Sequence, residues 1–189
     1  MTSEPAAQPR TLYLDASALV KRYLAETGSA WVESLCADEA NNAIAIARFG
    51  LVETAAAFAA KRRGQFITDR EYESALADLL RDAGERYRLV AVGPALIDSA
   101  IQLTRSQRLR GYDAIHLACA LALNKPLVND GLPPLTFVAA DDVLLAAALA
   151  EGLATENPNR HSQNPRHGSV GSLSGSMPAG EPHERVQRI

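Results

Sequence analysis

The sequence predicts an α/β sandwich with a mostly parallel central sheet, and three features of the chain support this fold class. Short apolar runs such as TLYLDA (11–16) and NAIAIA (42–47) are typical of strands that are covered on both faces. Between such runs lie longer segments with apolar residues three and four positions apart, which predict helices. Hydrophobic residues make up 47% of the 189 residues, which is enough for one domain with a core of ordinary size.

Strands and helices alternate along the chain. After the first strand, residues 17–37 carry helical spacing with a break at Gly28. The second strand leads into an alanine-rich helix over 49–64. A further helix over 68–87 begins at Thr68, a residue type that caps helices, and continues with an acidic first turn. The remaining predicted elements are a strand at 88–92, helices over 93–109 and 111–125, a strand at 135–141, a helix over 142–152 and a short strand at 153–155.

The composition changes near Thr155. The segment 156–189 is rich in Ser, Gly, Pro and Asn and holds six hydrophobic residues, too few to offset the entropy cost of ordering it. We therefore expect a flexible N-terminus at 1–10, one folded domain over 11–155 and a disordered polar tail at 156–189. Three of the four histidines lie in this tail, but their irregular spacing does not indicate a metal site.

Charge and cysteine content narrow the class of protein further. The formal net charge of −3 argues against binding to nucleic acid by bulk charge, although a local basic rim is compatible with it. Cys36 and Cys119 have no neighbours that suggest a disulfide or a metal pair. No window approaches the roughly 20 apolar residues of a membrane span, and the N-terminus lacks a secretion signal. We therefore expect a cytoplasmic protein with no membrane segment.

Four acidic residues stand in otherwise apolar sequence. Asp15 and Asp141 end two predicted strands, and the carboxyl ends of parallel strands meet at the edge of a sheet where ligands gather. Glu53 and Asp113 lie in the apolar first turns of two helices. Taken alone, the aspartates are explained by capping or by the helix dipole. Together, the four carboxylates would repel one another unless a cation lay among them, and oxygen ligands suit Mg²⁺ or Mn²⁺.

The four acids lie in longer stretches that carry a resemblance. These stretches are LYLDASALVKRYL (12–24), LVETAAAF (51–58), LRGYDAIHLACAL (109–121) and FVAADDVLLAAALAEGL (137–153). In order and spacing they resemble the acidic motifs of PIN-domain proteins, most closely the VapC-type toxins of bacterial and archaeal toxin–antitoxin modules. The similarity covers roughly residues 11–155.

This resemblance implies a fold, an activity and partners. The fold is a PIN-like, three-layer α/β/α sandwich. The activity is that of a Mg²⁺- or Mn²⁺-dependent endoribonuclease, with Asp15, Glu53, Asp113 and Asp141 as its acidic cluster. The implied partners are an RNA substrate such as tRNA, a cognate VapB-like antitoxin protein and a second copy of the chain in a homodimer.

Two polar residues beside the acids are candidates for supporting roles. Ser17, two residues after Asp15, is placed to hydrogen-bond a carboxylate or a phosphate, or to cap the first helix. Asp142 is an alternative to Asp141 as the fourth acid. We favour Asp141 because it directly ends the predicted strand, whereas Asp142 suits the N-cap of the next helix.

Basic residues flank two of the acidic motifs and are candidates for contacts with RNA phosphates. They are Lys21, Arg22, Arg108 and Arg110. Charges of this kind are also typical of a solvated surface. His116 follows Asp113 by one helical turn on an apolar face, which is more typical of a core residue than of a general base.

Other functional classes use similar residues. A haloacid-dehalogenase-type phosphatase also has an aspartate after its first strand and uses Mg²⁺, but it needs a second aspartate where this chain has Ser17. A non-catalytic RNA-binding or scaffold PIN domain would be expected to lack acidic ligands, and all four are present. Cleavage of DNA stays open, because no residue pattern distinguishes the sugar.

Overall fold

The computed structural model describes residues 10–161, which contain five β-strands and seven α-helices. None of these helices has both the length and the hydropathy that a membrane crossing requires. In chain order the elements are β1 Thr11–Leu14, α1 Ala16–Val20, α2 Ser29–Leu35, β2 Ala43–Ala47, α3 Gly50–Arg63, α4 Asp69–Glu85, β3 Tyr87–Val90, α5 Pro94–Ser106, α6 Gly111–Asn129, β4 Thr136–Val138, α7 Asp142–Ala150 and β5 Ala154–Glu156.

All five strands form one parallel sheet in the order β3-β2-β1-β4-β5. The central strand is β1, in which Tyr13 lies opposite Ala45 of β2 and Phe137 of β4. Because the strands are parallel, the carboxyl ends of β2, β1 and β4 lie side by side at one edge of the sheet. This edge leads directly into Asp15 and, within a few residues, into the first turns of α3 and α7.

Alternate residues of β1 point to opposite faces of the sheet. Leu12 and Leu14 are buried in a core that they share with α1 to α4, whereas Tyr13 is buried in a second core with α5 to α7. Helices therefore cover both faces, which confirms the predicted three-layer α/β/α sandwich. Burial on both sides also explains why the strand sequences are continuously apolar.

Helix α6 is longer than predicted, because it continues through Pro126 to Asn129. A proline inside a helix removes one main-chain hydrogen bond, here the one that the Ala122 carbonyl would accept. Ala122 is exposed, so water can supply the missing donor. Leu123 and Leu127 pack against the buried core on the other side of the helix, and this contact favours the extra turn.

The chain stays folded beyond the predicted domain boundary at 155. Strand β5 includes Glu156, and the ring of His161 stacks on that of Trp31 with 3.9 Å between the centroids. Residues 156–161, which the sequence assigned to the disordered tail, are therefore part of the fold, because pairing with β4 and aromatic stacking hold them. Outside the described residues lie 1–9 and 162–189, and with them the rest of the predicted N-terminal segment and tail.

Replacement of Gly28 tests the packing of the C-terminal segment on the domain. Gly28 has a φ of +85°, and a Cβ atom there would lie 2.2 Å from the Pro158 carbonyl oxygen. Gly152 has the same φ but no atom within 4 Å of such a Cβ, so it is a matched control. We expect Gly152→Ala to lower the free energy of unfolding by about 1–2 kcal/mol, the cost of left-handed backbone. We expect Gly28→Ala to lower it by about 1–3 kcal/mol more through steric overlap.

Urea denaturation of the two variants and the parent chain measures these differences. Equal losses of stability in Gly28→Ala and Gly152→Ala would contradict the steric argument.

Candidate active site

Asp15 is the first residue after β1, and it caps the short helix α1. Its Oδ1 atom accepts hydrogen bonds from the Ala18 backbone N–H at 2.9 Å and from the Ser17 hydroxyl at 2.7 Å. Burial raises the pKa of the Asp15 carboxyl above its ordinary value, although His116 and these two donors act in the opposite direction. The carboxylate is thus fixed in position while its charge is incompletely compensated.

Ser17 joins the ends of two neighbouring strands. Its hydroxyl donates to the Asp15 carboxylate, which follows β1, and accepts the Ala140 backbone N–H, 2.8 Å away, which follows β4. The Asp15 N–H also donates to the Val138 carbonyl at 3.1 Å. The helix cap that was one predicted role of Ser17 belongs to Asp15, because Asp15 has the extended backbone of a cap and Ser17 already lies inside α1.

Glu53 lies in the first turn of α3 and contacts α6 through a histidine. Its Oε2 atom is 2.8 Å from Nε2 of His116, whose other ring nitrogen, Nδ1, is 2.9 Å from the Tyr13 hydroxyl. Both His116 and Tyr13 are buried. Because both ring nitrogens are engaged, His116 is unsuited to act as a general base. Sequence reasoning missed this link, since the partners of His116 are 63 and 103 residues away and the only local signal was its spacing from Asp113.

Asp113, in the first turn of α6, shares its surroundings with two other aspartates. Burial raises the pKa of its carboxyl, and the negative charge of Asp141 raises it further, whereas Arg110 and His116 lower it. The charge of Asp113 in turn raises the pKa of Asp15. Within residues 10–161, none of the three aspartates has a cationic side chain within 4.0 Å. The structure therefore brings these acids together electrostatically without a salt-bridge partner.

The adjacent aspartates at 141 and 142 have different contacts. Asp141 caps α7, and its Oδ1 accepts two backbone N–H groups of the first helical turn at 2.8 and 3.0 Å. Asp142 is the first helical residue and accepts hydrogen bonds from Asn157 and Arg160. The predicted N-cap role of Asp142 is therefore wrong, because β4 ends three residues before Asp141 and leaves that residue to take the cap. Asp141, whose charge acts on Asp113, stays the candidate for the fourth acid.

Lys21 and Arg22, two of the residues predicted to contact RNA phosphates, lie beside acids of the domain. Lys21 is buried and forms an ion pair with Glu26 at 3.0 Å. The Nε atom of Arg22 is buried and lies 4.0 Å from a carboxylate oxygen of Asp82, itself a buried residue. Lys21 is therefore already paired, whereas the Arg22 side chain is 24% exposed and its contact with RNA stays a prediction. Arg110, the N-cap residue of α6, is exposed, and its contact with RNA stays a prediction.

The acidic cluster suits a hard divalent cation by its chemistry. Its donors are carboxylate oxygens, which Mg²⁺ and Mn²⁺ prefer, and the pKa values of Asp15 and Asp113 are raised first by burial and then by a neighbouring carboxylate. In the part of the chain that the structure describes, no three His, Cys, Asp or Glu side chains are already grouped as a metal site. The fit therefore rests on donor type and charge.

Removing the charge of Asp113 is expected to stabilise the metal-free protein. Since the pKa of Asp113 is higher in the folded state, this group reduces stability as the pH rises from about 3.8 through the folded pKa, and the full loss is present above it. We expect Asp113→Asn to raise the Tm at pH 7 in EDTA by at most about 2–4 °C, because solvent screens the charge of this partly exposed side chain. The gain should shrink toward pH 4.

Circular dichroism at both pH values measures this effect. Glu73→Gln, an exposed side chain inside α4 with no ion pair among the described residues, is the control and should leave the Tm nearly unchanged. A lower Tm for Asp113→Asn at pH 7 would contradict the electrostatic argument.

Comparisons with known proteins identify the family to which this fold belongs. A family model described as the PIN domain matches residues 12–131. Two relatives from Mycobacterium tuberculosis are each 38% identical to this chain over 118 residues, which cover 61% of this chain and 78% of the relative. They are Ribonuclease VapC45, from strain CDC 1551 / Oshkosh, and Ribonuclease VapC49, from strain ATCC 25618 / H37Rv. The structure of VapBC2 from Rickettsia felis, bound to a DNA fragment from their promoter, aligns with a TM-score of 0.51 and 15% identity, over 78% of this chain and 98% of that chain. The family model and the two relatives, together with the parallel sheet of this protein, show that the chain belongs to the PIN domain family, as a VapC-type member.

Proposed function

We propose that this protein is an endoribonuclease that hydrolyses RNA phosphodiester bonds with Mg²⁺ or Mn²⁺ and serves as the toxin of a toxin–antitoxin pair in the cytoplasm. The observation that carries the proposal is that the Ser17 hydroxyl joins the ends of β1 and β4, which lead into Asp15 and Asp141, while the charge of Asp113 acts on Asp15. The names of the two relatives that are 38% identical support RNA as the substrate class.

The four acids are the proposed ligands of the cation, and neighbouring groups hold two of them in position. Asp15, Glu53, Asp113 and Asp141 would bind it directly or through water, and the cation supplies the Lewis acidity that activates water and neutralises charge on the phosphate. Ser17 holds the Asp15 carboxylate in one orientation, and the backbone N–H groups of α7 hold that of Asp141. These contacts position the ligands before the cation arrives, which reduces the entropy cost of binding.

The proposal includes macromolecular partners at the same edge. Val52, Tyr112 and Val143, in the first turns of α3, α6 and α7, are all more than half exposed. Large exposed apolar side chains around a polar centre are typical of a surface that binds another macromolecule. The VapC-type family relationship supports a VapB-like antitoxin and a homodimer, and we expect the antitoxin and RNA to compete for this edge.

Two alternatives are weaker. The haloacid-dehalogenase-type phosphatase conflicts with membership of the PIN domain family and with Ser17 at the position of the required second aspartate. A non-catalytic RNA-binding PIN domain differs from the proposal by lacking metal-dependent cleavage, which can be measured directly.

Cleavage of labelled RNA, including tRNA, with Mn²⁺ or EDTA tests the proposed activity. We expect Asp113→Asn to reduce metal-dependent cutting at least about 100-fold, because the cation that it helps to hold supplies several kcal/mol of transition-state stabilisation. Asp130→Asn, prepared identically, should cut like the parent chain. Equal cutting by all three proteins would indicate a contaminating nuclease, and no cutting by any of them would favour the non-catalytic alternative.

A metal-dependent shift in Tm distinguishes the two adjacent aspartates. The family model ends at residue 131, so Asp141 rests on its contacts in this structure. At 100 times the dissociation constant, Mn²⁺ should add about 2.7 kcal/mol to the stability of the parent chain. We expect Asp141→Asn to lose most of this gain and Asp142→Asn to retain it. The reverse result would make Asp142 the fourth ligand.

A further inference from the structure

A buried chain of hydrogen bonds leads from the central strand to the acidic edge. The Tyr13 hydroxyl lies 2.9 Å from Nδ1 of His116, and Nε2 of His116 lies 2.8 Å from Oε2 of Glu53. Tyr13 is fully buried, His116 is 3% exposed, and the side chain of Glu53 is 29% exposed. This hydrogen-bond chain therefore runs from the core to the surface and ends on one of the four acids.

The donors and acceptors along this chain can be assigned from chemistry. A carboxylate only accepts, so the hydrogen between His116 and Glu53 belongs to Nε2. When the imidazole is neutral, Nδ1 is an acceptor and the Tyr13 hydroxyl donates to it, and when the imidazole is protonated, Nδ1 donates to that hydroxyl. In both states Nε2 donates to Glu53 and both ring nitrogens have a partner.

Packing around His116 restricts the ring to this orientation. The ring of Phe49 lies 4.7 Å from it between centroids, and the ring of Tyr13 meets it edge-on at 5.9 Å. A Cβ atom at Gly50 would lie 3.3 Å from Cε1 of His116, closer than ordinary contact, so glycine there leaves room for the ring. The imidazole is therefore held by neighbours on several sides.

The hydrogen-bond chain also connects three of the four elements that carry the acids. Tyr13 is two residues before Asp15 on β1, and His116 is three residues after Asp113 on α6. Glu53 comes from α3, on the other side of the sheet edge. Within the described residues, the contact with Nε2 of His116 is the one hydrogen bond of the Glu53 side chain, and it engages only Oε2. Its second oxygen, Oε1, has no such contact.

We propose that Tyr13 and His116 are positioning residues that hold Glu53 in one orientation, with Oε2 committed to His116 and Oε1 directed to cation binding. This inference rests on the proposed function, since it concerns the same cation. Hydrogen-bond partners that orient ligands typically change metal affinity 10–100-fold when they are removed. Among the described residues the Tyr13 hydroxyl forms no hydrogen bond with any of the four acids, so its removal should change the affinity for the cation through Glu53.

The test is the affinity of the full chain for Mn²⁺, measured by isothermal titration calorimetry without RNA. We expect Tyr13→Phe to weaken Mn²⁺ binding about tenfold. In a Glu53→Gln background the same substitution should cause no further loss, because a double-mutant cycle isolates the effect that passes through Glu53. His116→Gln, which keeps an N–H donor, should retain more affinity than His116→Leu.

Two controls separate positioning from general damage. Tyr72→Phe removes a hydroxyl that lies outside this hydrogen-bond chain. His161→Gln removes an imidazole from a similar histidine–glutamate pair, which His161 forms with Glu156. Both variants should bind Mn²⁺ like the parent protein. In the metal-free protein, ¹⁵N NMR should show His116 protonated at Nε2, and a tautomer protonated only at Nδ1 would overturn the assignment.

The outcomes separate this inference from the proposed function. A loss of equal size with and without Glu53→Gln, or lower stability with unchanged affinity, would overturn the positioning role. The expected cycle in a protein that cuts no RNA would refute the ribonuclease and support the positioning role. A parent chain that binds no Mn²⁺ would overturn both.

Discussion

Negative charge at the carboxyl edge of the parallel sheet is the constraint on which the rest of this site depends. Hydrogen-bond donors hold these acids: backbone N–H groups in the first turns of α1 and α7 donate to Asp15 and Asp141, and His116 contacts Glu53. These donors hold like charges in place although burial and mutual repulsion raise the pKa values of Asp15 and Asp113. Carboxyl groups whose pKa values are raised on folding lower the stability of a protein at neutral pH, and such a cost is typical of sites selected for function.

The central strand β1 connects this constraint to the core. Its side chains alternate between the two faces, so Leu12 and Leu14 anchor one helical layer while Tyr13 reaches α6 in the other. The strand thus ends in one acid, Asp15, and supports a second, Glu53, through Tyr13 and His116. A shift of β1 by one residue would exchange the two faces and break both contacts.

Local sequence was sufficient for much of the fold. Thr68 and Glu71 have the spacing of a capping box, and their reciprocal hydrogen bonds begin α4 where the sequence predicts it. The apolar strands and the acids that follow them predicted a parallel sheet with the acids at one edge. Boundaries were harder, because they depend on packing: core contacts of α6 extend it through Pro126, and pairing with β4 keeps residue 156 in the sheet.

By itself, the sequence determined the α/β class and the four candidate acids, since these follow from patterns within a few residues. Only the tertiary structure decided which neighbours those acids have. It gave the helix cap to Asp141 rather than Asp142, paired Lys21 with Glu26, and joined Glu53 to His116 from 63 residues away. The physical reason is that hydrogen bonds and charges act over a few ångströms, and sequence separation does not specify which side chains folding brings within that distance.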